Sequence, residues 1–143
     1  MKFNDIAPQD WPELKPYLDT CLLPITGLTG REDPMQVTSA LEHLRDVMEV
    51  IEIPFKGRVV TYPALHYIIS EDGSKYVEKV TQQVKQSGFR YVIVVTSCQE
   101  ALTWTSKHTD LLIVVDRDQW AEQVEAIRAG ITGQVQQLWY PVD

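Results

Sequence analysis

Apolar residues fall at Val37, Ala40, Leu41, Leu44, Val47 and Met48, spacings of three and four that place them on one face of a helix over about 34–49. Its start is marked as well. Asp33 precedes Pro34, and Gln36 stands three residues after the aspartate, the residue types of an N-cap, a first-turn proline and a capping box. Asp72, Gly73 and Ser74 start a second helix carrying Tyr76, Val77, Val80 and Val84, with Gly88 as its stop. Two stretches read differently. "YVIVV", from Tyr91, and "LLIVV", from Leu111, are unbroken apolar runs, the pattern of parallel neighbouring strands buried on both faces. A short helix is expected between them over residues 97–107, and another from Asp118 to Arg128, ending at Gly130. "QVQQLWYPV" then supplies a last strand, its Pro141 suited to an edge.

Towards the N-terminus the pattern is broken by prolines. Pro8, Pro12 and Pro16 interrupt a helix although Trp11, Leu14 and Leu18 keep roughly helical spacing, so residues 1–20 should form an arm of short turns that lays Trp11 against the body. "CLLPI" is a short apolar run that leads into the glycine-bearing loop "TGLTGRED". In "VIEIPFKGRVVTYPALHYII" Pro54 and Pro63 interrupt any ladder. Either "RVVTY" is one strand followed by an irregular "PALHY", the preferred reading, or Lys56 and Gly57 turn a hairpin between "VIEIPF" and "RVVTY". Alternating strands and helices make a single three-layer α/β domain over residues 1–143, a mostly parallel sheet with helices on both faces, Rossmann-like or flavodoxin-like.

Charge narrows the partners. Lys and Arg total 13 against 20 Asp and Glu, a net charge of −7 that repels phosphate backbones and anionic lipid, so nucleic acid is not an expected partner. Lys75, Lys79 and Lys85, interleaved with Glu78, read as a solvated helix face. "MKFNDIAPQDW" has no secretory h-region and no run approaches the roughly 18 apolar residues of a spanning helix, so a cytoplasmic protein without membrane insertion is expected. Cys21 and Cys98 are far apart, with no second pair to complete a metal site, and should be free thiols.

In open α/β sheets ligands bind outside the carboxyl ends of the strands. Four loops gather there: Thr26 to Arg31, the region after Tyr62, Thr96 to Cys98, and Asp116 to Asp118. Ser97 with Glu100 is a capping box that makes Cys98 the first helical residue, where the helix dipole favours the thiolate. Its chemical partners are missing. A phosphatase loop needs arginine where Trp104 stands, a thioredoxin-type site needs cysteine at Ala101, and a nucleophile elbow on Ser97 needs glycines in place of Val95 and Gln99. Small polar capping therefore outweighs catalysis. "GLTGR" lacks both phosphate-loop spacings, although Arg31 suits an anion. His43, His66 and His108 share no ligand spacing, and Asp116 with Asp118 either binds a divalent cation or, the preferred reading, caps the next helix at Gln119. Any ligand site should hold Thr26, Gly27, Gly30, Arg31, Thr96, Ser97, Cys98 and Asp116. Three functions stay open. The favoured one is a noncatalytic accessory domain meeting a protein partner through exposed aromatics such as Trp139 and Tyr140. The others are a nucleotide- or phosphometabolite-binding protein, and an enzyme using Cys98 or the Asp116 and Asp118 pair.

At "YLDTCLLPI", "PFKGRVVTYPALHY" and the VIVV and LLIVV strands, the chain resembles the YpiF-like family of Bacillus and related Firmicutes. The resemblance implies a cytosolic bacterial protein of uncharacterised activity, encoded near the menaquinol:cytochrome c reductase. It thus hints at an accessory role, carries over no catalytic residue, and names no cofactor.

Overall fold

A computed structural model describes residues 1–66, 73–104 and 106–141. The strands β1 (Thr20–Ile25), β2 (Val59–Thr61), β3 (Tyr91–Thr96) and β4 (Leu111–Val114) form one parallel sheet in the order β2-β1-β3-β4. The helices are α1 (Trp11–Leu14), α2 (Pro34–Glu52), α3 (Gly73–Gln86), α4 (Arg117–Glu122) and α5 (Val124–Trp139). Successive strand residues point to opposite faces, and the core follows that alternation. Leu22, Val59, Ile93, Val95 and Ile113 pack with Leu44, Val47, Ile131 and Val135 beneath α2 and α5. On the other face Cys21, Leu23, Val60, Val92 and Val94 meet Val77 and Val84 of α3, with Trp11 of the arm packed alongside. The result is a three-layer α/β fold in which β1 and β3 are the central pair of strands.

Local chemistry accounts for most boundaries. The Asp33 carboxylate accepts from the Gln36 N–H at 2.8 Å and the Gln36 side chain accepts from the Asp33 N–H at 3.0 Å, so α2 begins as the capping box dictates. Pro24 is tolerated inside β1 because the even-numbered groups of that strand face β2, which has ended by then: Leu65 N–H reaches the Pro24 carbonyl at 2.9 Å after the chain has left the ladder. "RVVTY" is one short strand with an irregular continuation, and "VIE" completes α2 three residues beyond the expected end. The arm places Trp11 6.2 Å from the Phe89 ring. Asp72, an expected helix start, lies outside the described residues.

Four expectations are corrected. The described part of "QVQQLWYPV", residues 134–141, is not a strand: α5 runs through Gly130 and Gly133 to Trp139, because Ile127, Ile131, Val135 and Trp139 recur at helical spacing and meet α2. The helix expected over Asp118 to Arg128 is split at Gln123 (φ −133°, ψ 39°) into α4 and α5. Strand β4 is not buried on both faces, since only Ile113 is fully covered and Leu111, Leu112 and Val114 are half-buried at the sheet edge. Trp139 is no exposed anchor. Its Nε1 donates to Thr20 Oγ1 at 2.9 Å, its ring stands edge-on to Phe55 at 5.0 Å, and the Arg58 guanidinium lies 4.3 Å above it. Tyr140 is exposed.

Candidate functional site

The carboxyl edge of the sheet is where the strand order reverses, with β1 leading outward to β2 and β3 outward to β4. Three of the expected loops meet there. Gly27 has φ +73°, a conformation L side chains rarely adopt, and a Cβ built on it would lie 3.6 Å from the Cys98 Cβ. Thr26 anchors the loop after β2, since its N–H and hydroxyl both donate to the Leu65 carbonyl at 3.0 and 3.2 Å while His66 Nδ1 lies 3.1 Å from the Thr26 hydroxyl oxygen. Thr96, almost fully buried, accepts the Cys98 N–H on its hydroxyl at 3.1 Å.

That last bond displaces the expected cap. Ser97 does not begin a helix, and Cys98 is not its first residue. The chain bends at Ser97, is extended at Cys98 (φ −76°, ψ 111°) and then makes a 3₁₀ turn at Gln99–Thr103, with no side-chain cap. A five-residue 3₁₀ turn lacks the aligned peptide dipoles on which thiolate activation was argued. Cys98 is a half-buried free thiol, whereas Cys21 is fully buried and its pKa is driven far up by desolvation.

The glycine loop does present backbone donors, but to its own chain. Gly30 adopts φ +97°, and the N–H groups of Thr29 and Gly30 both converge on Glu32 Oε1 at 2.9 Å. The Thr29 hydroxyl adds a bond to Glu32 Oε2 at 3.0 Å. Desolvation opposes ionisation of this carboxyl, but the amides of Glu32, Thr29 and Gly30 and the Thr29 hydroxyl outweigh it and hold the pKa below the ordinary value. Sequence reading missed Glu32. Its signal was a carboxylate two residues after a glycine that takes positive φ. Arg31 is exposed, and its guanidinium has no hydrogen bond or ion pair among the described residues.

Asp116 behaves as a cap, accepting from the N–H groups of Asp118 at 3.1 Å and Gln119 at 3.2 Å. Behind it, buried His43 has Nε2 3.0 Å from the Val115 carbonyl and stands edge-on to Trp120. Among the described residues no group of three or more His, Cys, Asp or Glu could hold a metal ion. Thr26, Gly27, Thr96 and Cys98 thus come together, Gly30 and Arg31 lie on a loop closed by Glu32, and Asp116 is engaged at the start of α4.

A concavity lies elsewhere. The arm and the β2 edge enclose an apolar groove of about 480 Å³, lined by Phe3, Ile6, Pro8, Trp11, Tyr62 and Pro63 among others, and Phe3 is 48% exposed at its rim. Among the described residues no helix is long and apolar enough to cross a membrane.

The chain belongs to the family described as "Protein of unknown function (DUF2487)", whose model matches residues 9–139. No curated protein and no solved structure matches the chain.

Proposed function

Starting from that membership, we propose that the chain is a noncatalytic accessory domain that acts by binding another protein. The observation that carries this reading is the occupied anion seat, where the Glu32 carboxylate fills the Thr29 and Gly30 amides that a nucleotide or phosphometabolite would need. Apolar ground is offered instead, in the groove beside the arm. The resemblance to the YpiF-like family supports a cytosolic bacterial setting, and the net charge of −7 supports a partner other than nucleic acid. Thermal-shift screening should leave the melting temperature unmoved by nucleotides, phosphometabolites and divalent ions, and a protein captured by the wild type should be lost from Phe3→Glu. A small ligand that raises the melting temperature overturns the reading.

The reversal of strand order between β1 and β3 favours a second reading, a small-anion site built on Thr26, Gly27, Gly30, Arg31, Thr96, Ser97, Cys98 and Asp116. An anion entering there must displace Glu32 and take up the Arg31 guanidinium. Glu32→Gln should then tighten binding of inorganic phosphate, and Arg31→Ala should weaken it roughly ten- to hundredfold. Failure of both proteins to bind phosphate ends that reading. The enzymatic alternative through Cys98 or Asp116 and Asp118 draws no support from this geometry, in which Asp116 is committed to capping.

A further inference from the structure

We propose that the open edge of β4 is a self-association surface, pairing antiparallel with β4 of a second copy of this chain to make one continuous eight-stranded sheet. The backbone is available for it. Val115 N–H donates to the Thr96 carbonyl at 3.0 Å, so by the alternation of a parallel ladder the N–H and C=O groups of Leu112 and Val114 point away from β3. Leu111 to Val114 include no proline and no charged side chain, two of the devices that blunt an edge. Grooves flank the strand on both faces. One of about 490 Å³ is lined by Leu102, Val114, Ile127, Gly130 and Gln134, and one of about 100 Å³ by Val77, Trp104, Ser106 and Leu112. Side chains of an added strand, alternating in direction, would enter both.

Charge selects the occupant. The chain carries −7, yet Leu111 to Val115 and Ala129 to Pro141, the strand and most of the helix above it, contain no charged residue, so two copies can meet here without opposing like charges. A two-fold axis normal to the sheet pairs residues of equal parity. Centred on Ile113 it would set Asp110 against Asp116 of the other copy, whereas centred on Leu112 it sets Asp110 against Val114 and His108 against Asp116, and the proposal takes that register. Gly130 and Gly133 add a separate indication. Both lie inside α5 without positive φ, and a Cβ on either would meet nothing within 4 Å, so the fold itself gives no reason for two residues that weaken a helix. Gly130 lowers the groove wall where the second copy approaches.

The test is the mass of the full chain by light scattering after gel filtration, from micromolar to millimolar concentration. Wild type should run at twice the mass of one chain at the upper end. Gly130→Glu, which adds charge where there is open space, should halve that mass without lowering the melting temperature of the dilute protein. Gly57→Glu adds the same charge in a turn away from β4, with equally open space, and should stay dimeric. If Gly130→Glu fails to fold, Leu102→Glu, at a residue 66% exposed on the same groove, replaces it. A wild type that is monomeric throughout, including one that pairs only with a different protein, overturns the proposal. So does a dimer that survives the groove variant, or one lost equally in Gly57→Glu. Loss of the Phe3-dependent partner leaves this result untouched, because the two surfaces lie at opposite edges.

Discussion

The two edges of the sheet are finished in opposite ways. At β2 the chain covers itself: the Met1 ammonium donates to the Val59 carbonyl at 3.1 Å, Thr61 N–H donates to the Met1 carbonyl at 2.8 Å, and Lys2 pairs with Thr61 as a parallel bridge. At β4 no described residue does the same. A sheet edge left uncovered is a template for another strand, and a protein that closes one edge with its own first residues has closed only half of that hazard. The difference extends to the bonding beneath each edge. Strand β2 is tied by a polar contact, the Thr61 hydroxyl donating to the largely buried Glu52 carboxylate at 2.6 Å. Strand β4 is held by apolar packing through Ile113, and by a tether in which Asp110 accepts from Val92 N–H at 2.8 Å and pairs with Lys85 at 2.8 Å.

Substitutions can break that contrast in order of size. Ile113→Ala empties the one fully covered side chain of β4 and should cost roughly 2–5 kcal/mol in denaturant unfolding. The loss should appear in hydrogen exchange as earlier opening of β4 than of β2. Thr61→Val keeps the shape and removes the donor to Glu52, leaving a desolvated carboxylate, and should cost about 1–3 kcal/mol. Here β2 amides should lose protection while β4 amides keep theirs. Gly130→Ala should stabilise the chain by about 0.5–1 kcal/mol, read as a higher denaturant midpoint, because the added methyl meets nothing and the unfolded chain loses freedom.

The smallest effect is electrostatic and specific to the β4 side. Glu78 of α3 accepts from Lys107 N–H at 2.9 Å and pairs closely with His108, holding the connection that precedes β4. Desolvation raises its pKa, but the bonds from His108, Ser106 and Lys107 outweigh it and the net shift is downward. A carboxyl whose folded pKa lies below its unfolded value of about 4.5 stabilises fully above that value and loses its contribution as pH falls through the folded pKa. Acidification below about pH 4.5 should therefore loosen this connection, and Glu78→Gln should flatten that part of the stability profile. An unchanged profile in the variant would remove Glu78 as its cause.

Legibility in the sequence followed the range of the interactions. Asp33 to Gln36 is a contact across three residues and the start of α2 came out as read, as did the parallel pairing of β3 with β4, which unbroken apolar runs specify. The α5 segment misled because Gly130 resembles a stop and "QVQQLWYPV" lacks charge, yet the spacing of Ile127, Ile131 and Val135 was present and tertiary contact with α2 decided it. At the site, topology foretold that Gly27 and Cys98 would be neighbours, since both follow strands that adjoin. Ser97 was misread because Thr96, counted as the first residue of the loop, offers its hydroxyl to the Cys98 amide first. Glu32 escaped because its role depends on two glycine-loop amides turning the same way, a three-dimensional fact that no periodicity encodes.

The bond from Trp139 to Thr20 spans 119 residues, from the end of α5 to the first residue of β1. On a ribosome the first strand leaves the exit tunnel long before that indole does, so β1 can be flanked by β2 and β3 while its base is still unsealed. Chain-end ordering of this kind raises the mean sequence separation of native contacts and slows the final step. A nascent chain stalled before Trp139 emerges should thus remain sensitive to protease at the start of β1, and become resistant when only a few more residues have cleared the tunnel.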